Sequence, residues 1–215
     1  MFYLDLFRAL QQEDVRYLVV GGLAVNLYGV ERATMDVDLM LAMDAENLAR
    51  FIRAANTLGL TPVPPVALQS LADEAARASW IEEKRMIVFA LRAADPASPT
   101  LDVLIRPPLP FDEVWSRRVE KSIGGLTVRL ASGIAPISKR WRKHGASPMT
   151  EKIDFAYELS EERLKAYRLV SLYDRLRWLE ALCRFTKMMQ AASTRDYSQP
   201  HAALEPQSSR YAKDK

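Results

Sequence analysis

The sequence predicts a mixed α/β domain over residues 1–131, followed by a basic, mainly helical region over residues 132–192 and a tail over residues 193–215. Three observations carry that prediction. Short β-rich runs alternate with helix-like stretches up to residue 131, Gly and Pro clusters punctuate them, and beyond that point the composition turns basic and then helical.

The first stretch, MFYLDLFRALQQED, alternates apolar with polar residues at helical spacing and carries Asp5 early, so it reads as an amphipathic helix and not as a secretory signal. With no long apolar span either, a cytoplasmic protein without a membrane segment is expected. VRYLVV at 15–20 is β-rich and ends in Gly21-Gly22, and LAVNLYG reads as a short helix stopped by Gly29. DVDLMLA at 36–42 reads as a second strand, and DAENLARFIRAANTLG as a helix opened by Asp44 and closed by Gly59. The prolines of TPVPP break the chain before a polar helical stretch around 67–79. MIVFALR and TLDVLI are two further strands separated by the turn-rich ADPASP, FDEVWSRRV is a helix, and KSIGGLTVRLA is a hairpin turning at Gly124-Gly125.

After the basic SKRWRKHGASPM, Ser160 can cap one helix and Ser171 with Asp174 can open another. Leu172, Leu176, Leu179 and Cys183, joined by Trp178, Leu182 and Phe185, give that last helix a broad apolar face that must pack on something. The polar, aperiodic tail is expected to be disordered.

Composition narrows the chemistry. Cys183 is the only cysteine, and His144 and His201 are the only histidines, which excludes a disulfide, a thiolate zinc cage and a histidine metal cluster; any metal must be oxygen-bound. Residues 1–131 hold 14 of the 30 Lys/Arg and 17 of the 27 Asp/Glu, so the front is acidic and the back basic. Such a basic half fits either a polyanionic partner or a solvated helical surface.

Asp36 and Asp38 stand at i and i+2 of a strand and therefore share one face, while Val37 and Leu39 take the other toward the core. Two carboxylates side by side repel unless a cation neutralises them, and hard ions such as Mg²⁺ bind through carboxylate oxygens. Asp102 is a third carboxylate inside an apolar strand. Gly21-Gly22 ends the strand preceding a helix start, where glycine lets a phosphate approach the backbone. No G-x-x-x-x-G-K-[ST] loop, no G-x-G-x-x-G fingerprint and no EF-hand spacing is present.

A strand ending in Gly-Gly, a helix, D-h-D on the next strand and a third Asp on a later one resembles the nucleotidyltransferase superfamily with the polymerase-β-like fold. ERATMDVDLML looks like its minimal, abortive-infection toxin-type branch, and the resemblance runs from about residue 14 to 131, including FDEVWSRRV and GGLTVRLAS. It implies that Asp36 and Asp38 hold two Mg²⁺ ions that also bind a nucleoside triphosphate, that Asp102 completes the site beside the attacking hydroxyl, and that Gly21 and Gly22 cradle the β- and γ-phosphates. Arg32 could touch a phosphate, with a solvated loop charge as the alternative, and Thr34 could line the same face or simply enter the strand. Lys139 in ISKR is the candidate for the family's triphosphate-binding Lys, although Gly133 and Pro136 interrupt the helix start and the acidic segment that usually follows is missing.

The acceptor that the resemblance implies is an RNA end such as tRNA, or a protein side chain on a toxin or antitoxin partner; small molecules such as aminoglycosides are a further class. Trp141 in KRWRK could stack on a base or anchor packing. The departure after residue 131 keeps open a fold relative that binds without turning over.

Overall fold

The computed structural model describes residues 1–132 and 160–193. Lys139, Trp141, the basic run around them and the tail from residue 194 lie outside the described residues, as does the segment that follows the expected domain boundary.

Among the described residues seven strands form one mixed sheet: β1 (Tyr17–Val20), β2 (Asp36–Leu41), β3 (Thr61–Pro62), β4 (Val88–Arg92), β5 (Thr100–Leu104), β6 (Val119–Ile123) and β7 (Leu126–Leu130), in the spatial order β3-β4-β5-β2-β1-β7-β6. The described helices are α1 (Phe2–Gln12), α2 (Gly21–Leu27), α3 (Ala45–Thr57), α4 (Glu74–Glu82), α5 (Phe111–Ser116), α6 (Glu161–Leu169) and α7 (Leu172–Ser193), with a 3-10 turn over Leu68–Ala72. The α/β class agrees with the expectation from sequence, and so does the order of elements except at TPVPP, where a chain break was expected and Thr61–Pro62 instead forms the short edge strand β3, paired with β4; an edge position tolerates the missing proline N–H.

Two pairings position the site. β2 lies antiparallel to β1, with Val20 opposite Asp38, and parallel to β5, with Asp36 opposite Thr100 and Asp38 opposite Asp102. Because strand side chains alternate, residues paired across strands share a face. One face, carrying Val19, Val37, Leu39, Phe89, Leu91, Leu101 and Val103, is fully buried in the main core with α1 and α3. The other face carries the three Asp and continues into a smaller cluster of Leu18, Val20, Met40, Leu104 and Val114.

Local chemistry explains the framing elements. α1 buries Tyr3, Leu6, Phe7 and Leu10, spaced three and four apart, on one stripe. The Asp44 carboxylate caps α3 by accepting from Asn47 N–H at 2.9 Å. Asn47, itself buried, accepts from Arg16 N–H at 2.7 Å and donates to the carbonyls of Arg16 and Ala42 at 3.1 and 2.8 Å, tying the entry of β1 to the exit of β2. The β6–β7 hairpin turns at Gly124 and Gly125 with φ of +58° and +79°, the pair of left-handed positions a two-residue turn requires.

Ser160 caps α6 through Arg163 N–H, and Ser171 caps α7 through Asp174 N–H at 3.1 Å. Leu176, Leu179 and Cys183 of α7 are fully buried. Trp178 and Phe185, expected on the same face, are 42% and 63% exposed. Each stands two residues, about 200° around the helix, from a buried position, so the packed stripe is narrower than the apolar composition implied. Arg175 is buried and donates to the carbonyls of Asn26, Tyr167 and Arg168, while Arg163 Nε meets Glu31 at 2.7 Å; α6 and α7 thereby clamp the α2–β2 connection. Among the described residues no helix is long and apolar enough to cross a membrane.

Candidate functional site

The three carboxylates converge. One oxygen from each of Asp36, Asp38 and Asp102 lies within 4.8 Å of the other two, with all three side chains half-buried. Strand periodicity puts Asp36 and Asp38 on one face, and the parallel pairing of β2 with β5 brings Asp102 directly beside Asp38.

The Gly-Gly turn is built around these side chains. Gly21 has φ +64°, and a Cβ there would lie 1.8 Å from Asp38 Oδ2; a Cβ on Gly22 would lie 2.6 Å from Thr34 Oγ1. Glycine is therefore required at both positions for a reason beyond access to the backbone: the Asp38 carboxylate and the Thr34 hydroxyl occupy the space a side chain would fill. The Gly22 N–H also hydrogen-bonds the Asp38 carboxylate. The helix that follows, α2, has seven residues, and its first turn faces Asp38 and Thr34.

Electrostatically the triad is frustrated. Burial, the Asp36 charge and the Asp102 charge push Asp38 from its ordinary 3.8 up to about 7, against the Gly22 N–H and the Arg32 guanidinium. Burial and the Asp36 charge push Asp102 up to about 6. Oxygen-only donors from three carboxylates, in reach of one another and mutually repelling, fit a hard divalent cation, which would relieve the repulsion.

Thr34 is buried and donates to Asp36 Oδ1 at 2.6 Å, which orients that carboxylate. Arg32 lies near enough to Asp38 to stabilise its charge, and its Nε is 3.7 Å from the position of a Cβ on Gly22. Of the residues singled out from sequence, Asp36, Asp38, Asp102, Gly21, Gly22, Arg32 and Thr34 are thus together; Lys139 lies outside the described residues.

Sequence reasoning passed over Thr100 and Arg92. Thr100 stands two before Asp102, on the same face and opposite Asp36, so the period of two that singled out Asp36 and Asp38 would have found it. Ala90 pairs with Asp102, so Arg92, two further along β4, is on that face as well, and Thr61 of β3 pairs with it.

No protein-family model and no curated protein matches the chain. Among solved structures, a crystal structure of ANT(2")-Ia in complex with adenylyl-2"-tobramycin is similar at a TM-score of 0.43 and 16% identity, over 88% of this chain and 97% of that one. A solution structure of the antibiotic-resistance factor ANT(2'')-Ia is similar at a TM-score of 0.42 and 16% identity, over 89% of this chain and 91% of that one.

Proposed function

We propose that the protein is a Mg²⁺-dependent nucleotidyltransferase that moves a nucleoside monophosphate from a nucleoside triphosphate to an acceptor hydroxyl. The observation that carries this reading is the convergence of Asp36, Asp38 and Asp102 beside the Gly21-Gly22 turn, in the order and spacing that resemble the superfamily's motif.

In this reading Asp36 and Asp38 hold the metal, as a two-ion site with Asp102, and the ions supply charge neutralisation for the triphosphate and the leaving group. Thr34 keeps the Asp36 carboxylate in position, and Asp38 is fixed by the Gly22 N–H and by the space above Gly21. The Gly21-Gly22 turn and Arg32 face the β- and γ-phosphates, and Lys139 is the further candidate for that contact. The acceptor oxygen forms its bond to the α-phosphorus, the bond from that phosphorus to the bridging oxygen breaks, and pyrophosphate leaves with the electron pair. Asp102, beside the acceptor, takes the hydroxyl proton. Orientation and charge stabilisation supply most of the acceleration.

The acceptor favoured by the sequence motif is an RNA end such as tRNA, in a toxin–antitoxin or abortive-infection setting with an antitoxin partner; a protein acceptor is the alternative. Incubating the protein with each labelled nucleoside triphosphate, Mg²⁺, and separate pools of total RNA, total protein and aminoglycoside tests the reading. One pool should take up label in the unaltered protein and not in Asp36→Asn. Label in no pool, together with no Mg²⁺-dependent nucleotide binding, would sink it.

A further inference from the structure

A cavity of about 490 Å³ opens at the edge of the sheet, lined by Thr61, Arg92, Asp95, Thr100 and Lys187 among others. Strand register ties it to the triad. Thr61 pairs with Arg92, the β4–β5 register that pairs Ala90 with Asp102 carries Arg92 opposite Thr100, and Thr100 pairs with Asp36. A polar row of Thr61, Arg92, Thr100 and Asp36 therefore crosses four strands on the face that bears the three carboxylates. Diagonal neighbours on adjacent strands have side chains roughly 7–8 Å apart, so Arg92 stands one such step from Asp102.

The charge of the cavity is unlike that of the triad. Arg92 is exposed and, among the described residues, has no carboxylate partner. Lys187 is held over the cavity by donating to the Ser98 carbonyl. Among the described residues the one carboxylate of the lining, Asp95, is already engaged: Arg184 lies 3.0 Å from its Oδ2, and its Oδ1 accepts from Ala97 N–H at 2.9 Å. Two cations and the hydroxyls of Thr61 and Thr100 remain to meet a ligand.

Resting on the transferase reading above, we infer that this cavity is the acceptor subsite, in which Arg92 and Lys187 bind a phosphate group carried by the acceptor close to the hydroxyl it presents to Asp102. The subsite selects for phosphorylated acceptors and against polycationic amino sugars, whose ammonium groups would face Arg92 and Lys187 with no unpaired carboxylate among the described lining residues to receive them. A polynucleotide end and a phosphorylated small molecule both present this phosphate to the same cations, and the probes below distinguish them.

The test uses the full chain and three probes, ribose 5-phosphate, a short single-stranded RNA and tobramycin, each titrated with and without Mg²⁺ and a non-hydrolysable nucleoside triphosphate. Arg92→Ala and Arg92→Glu are compared with the unaltered protein, because an exposed Arg without an ion pair can be replaced without unfolding the sheet. One or both phosphate probes should bind, Arg92→Ala should weaken them about tenfold or more, and nucleotide binding should stay unchanged. Arg92-dependent binding of ribose 5-phosphate identifies a small phosphorylated acceptor, and Arg92-dependent binding of RNA alone a polynucleotide. Phosphate binding that Arg92→Glu leaves within about twofold, or tobramycin binding more tightly than both phosphate probes, overturns the subsite. If the probes bind through Arg92 while Mg²⁺ and nucleotide do not bind at all, the transferase reading falls and the anion site stands.

Discussion

The two faces of strands β2 and β5 are made by the same eleven residues of backbone and do opposite things. On one, Val37, Leu39, Leu101 and Val103 are wholly excluded from water and hold the sheet to α1 and α3. On the other, one residue over, Asp36, Asp38 and Asp102 crowd together, and the proton affinities of Asp38 and Asp102 are raised. The contrast teaches that the apolar face supplies the stability with which the polar face is kept in an unfavourable arrangement; burying the first is what lets the second be preorganised for a cation.

Substitutions on the two faces should therefore separate activity from stability. Asp38→Asn is expected to lower transfer by about a hundredfold or more while raising the melting temperature of the metal-free protein, since it removes a repelling charge at nearly constant shape. Leu39→Ala, its neighbour on the opposite face, should cost about 2–5 kcal/mol of stability. Thermal melts and transfer assays on the pair check both, and an Asp38→Asn protein that melts lower with near-normal transfer would erase the distinction.

The glycines sharpen the comparison because two of them share a backbone conformation but not a setting. Gly21 and Gly59 have φ of +64° and +62°, yet a Cβ on Gly21 meets Asp38 Oδ2 at 1.8 Å and one on Gly59 meets nothing within 4 Å. Gly59→Ala should cost only the left-handed strain, about 1 kcal/mol, and leave metal binding intact. Gly21→Ala should displace the Asp38 carboxylate and weaken Mg²⁺ binding, read by calorimetry. Equal effects of the two substitutions would mean that the contact with Asp38 is not what demands glycine at position 21.

A gentler probe is pH. Asp38 and Asp102 hold protons more tightly in the folded chain than their ordinary 3.8 allows, so the folded state binds more protons than the unfolded one across roughly pH 4 to 7. Their contribution to the stability of the metal-free protein is thus present at low pH and is lost as pH rises through about 6 and about 7. Mg²⁺ must displace those protons, so its affinity should rise over the same range. Denaturant melts and Mg²⁺ titrations from pH 5 to pH 8, about the span of the two transitions, read both slopes. The smallest effect is expected of Thr34→Val, which removes the 2.6 Å hydrogen bond to Asp36 Oδ1 and should reduce transfer about tenfold with the fold intact.

Much of this was legible in the sequence because its signals are local. The Asp44 cap, the Gly124-Gly125 turn and the Asp36/Asp38 alternation depend on residues a few positions apart, and each appears where the sequence predicted it. What was not legible depends on pairing between distant segments. That Gly21 and Gly22 make room for Asp38 and Thr34 follows from β1 lying antiparallel to β2, and the row from Asp36 to Arg92 follows from β5 and β4 joining that edge. Asn47 reads as an ordinary helix residue until the carbonyls of Arg16 and Ala42 are brought to it. The apolar breadth of α7 misled in the opposite way, since composition cannot say which side of a helix meets the core.

The most direct measurement of the central claim, that the three carboxylates form a cation-dependent nucleotide site, is the thermal shift of the unaltered chain with Mg²⁺ alone, nucleoside triphosphate alone, and both. Because the frustrated triad needs a cation before it can accept a triphosphate, the two together should stabilise the protein by more than the sum of their separate effects, and the excess should vanish in Asp36→Asn. A triphosphate that stabilises equally well in EDTA, or an excess that persists in Asp36→Asn, would contradict the claim.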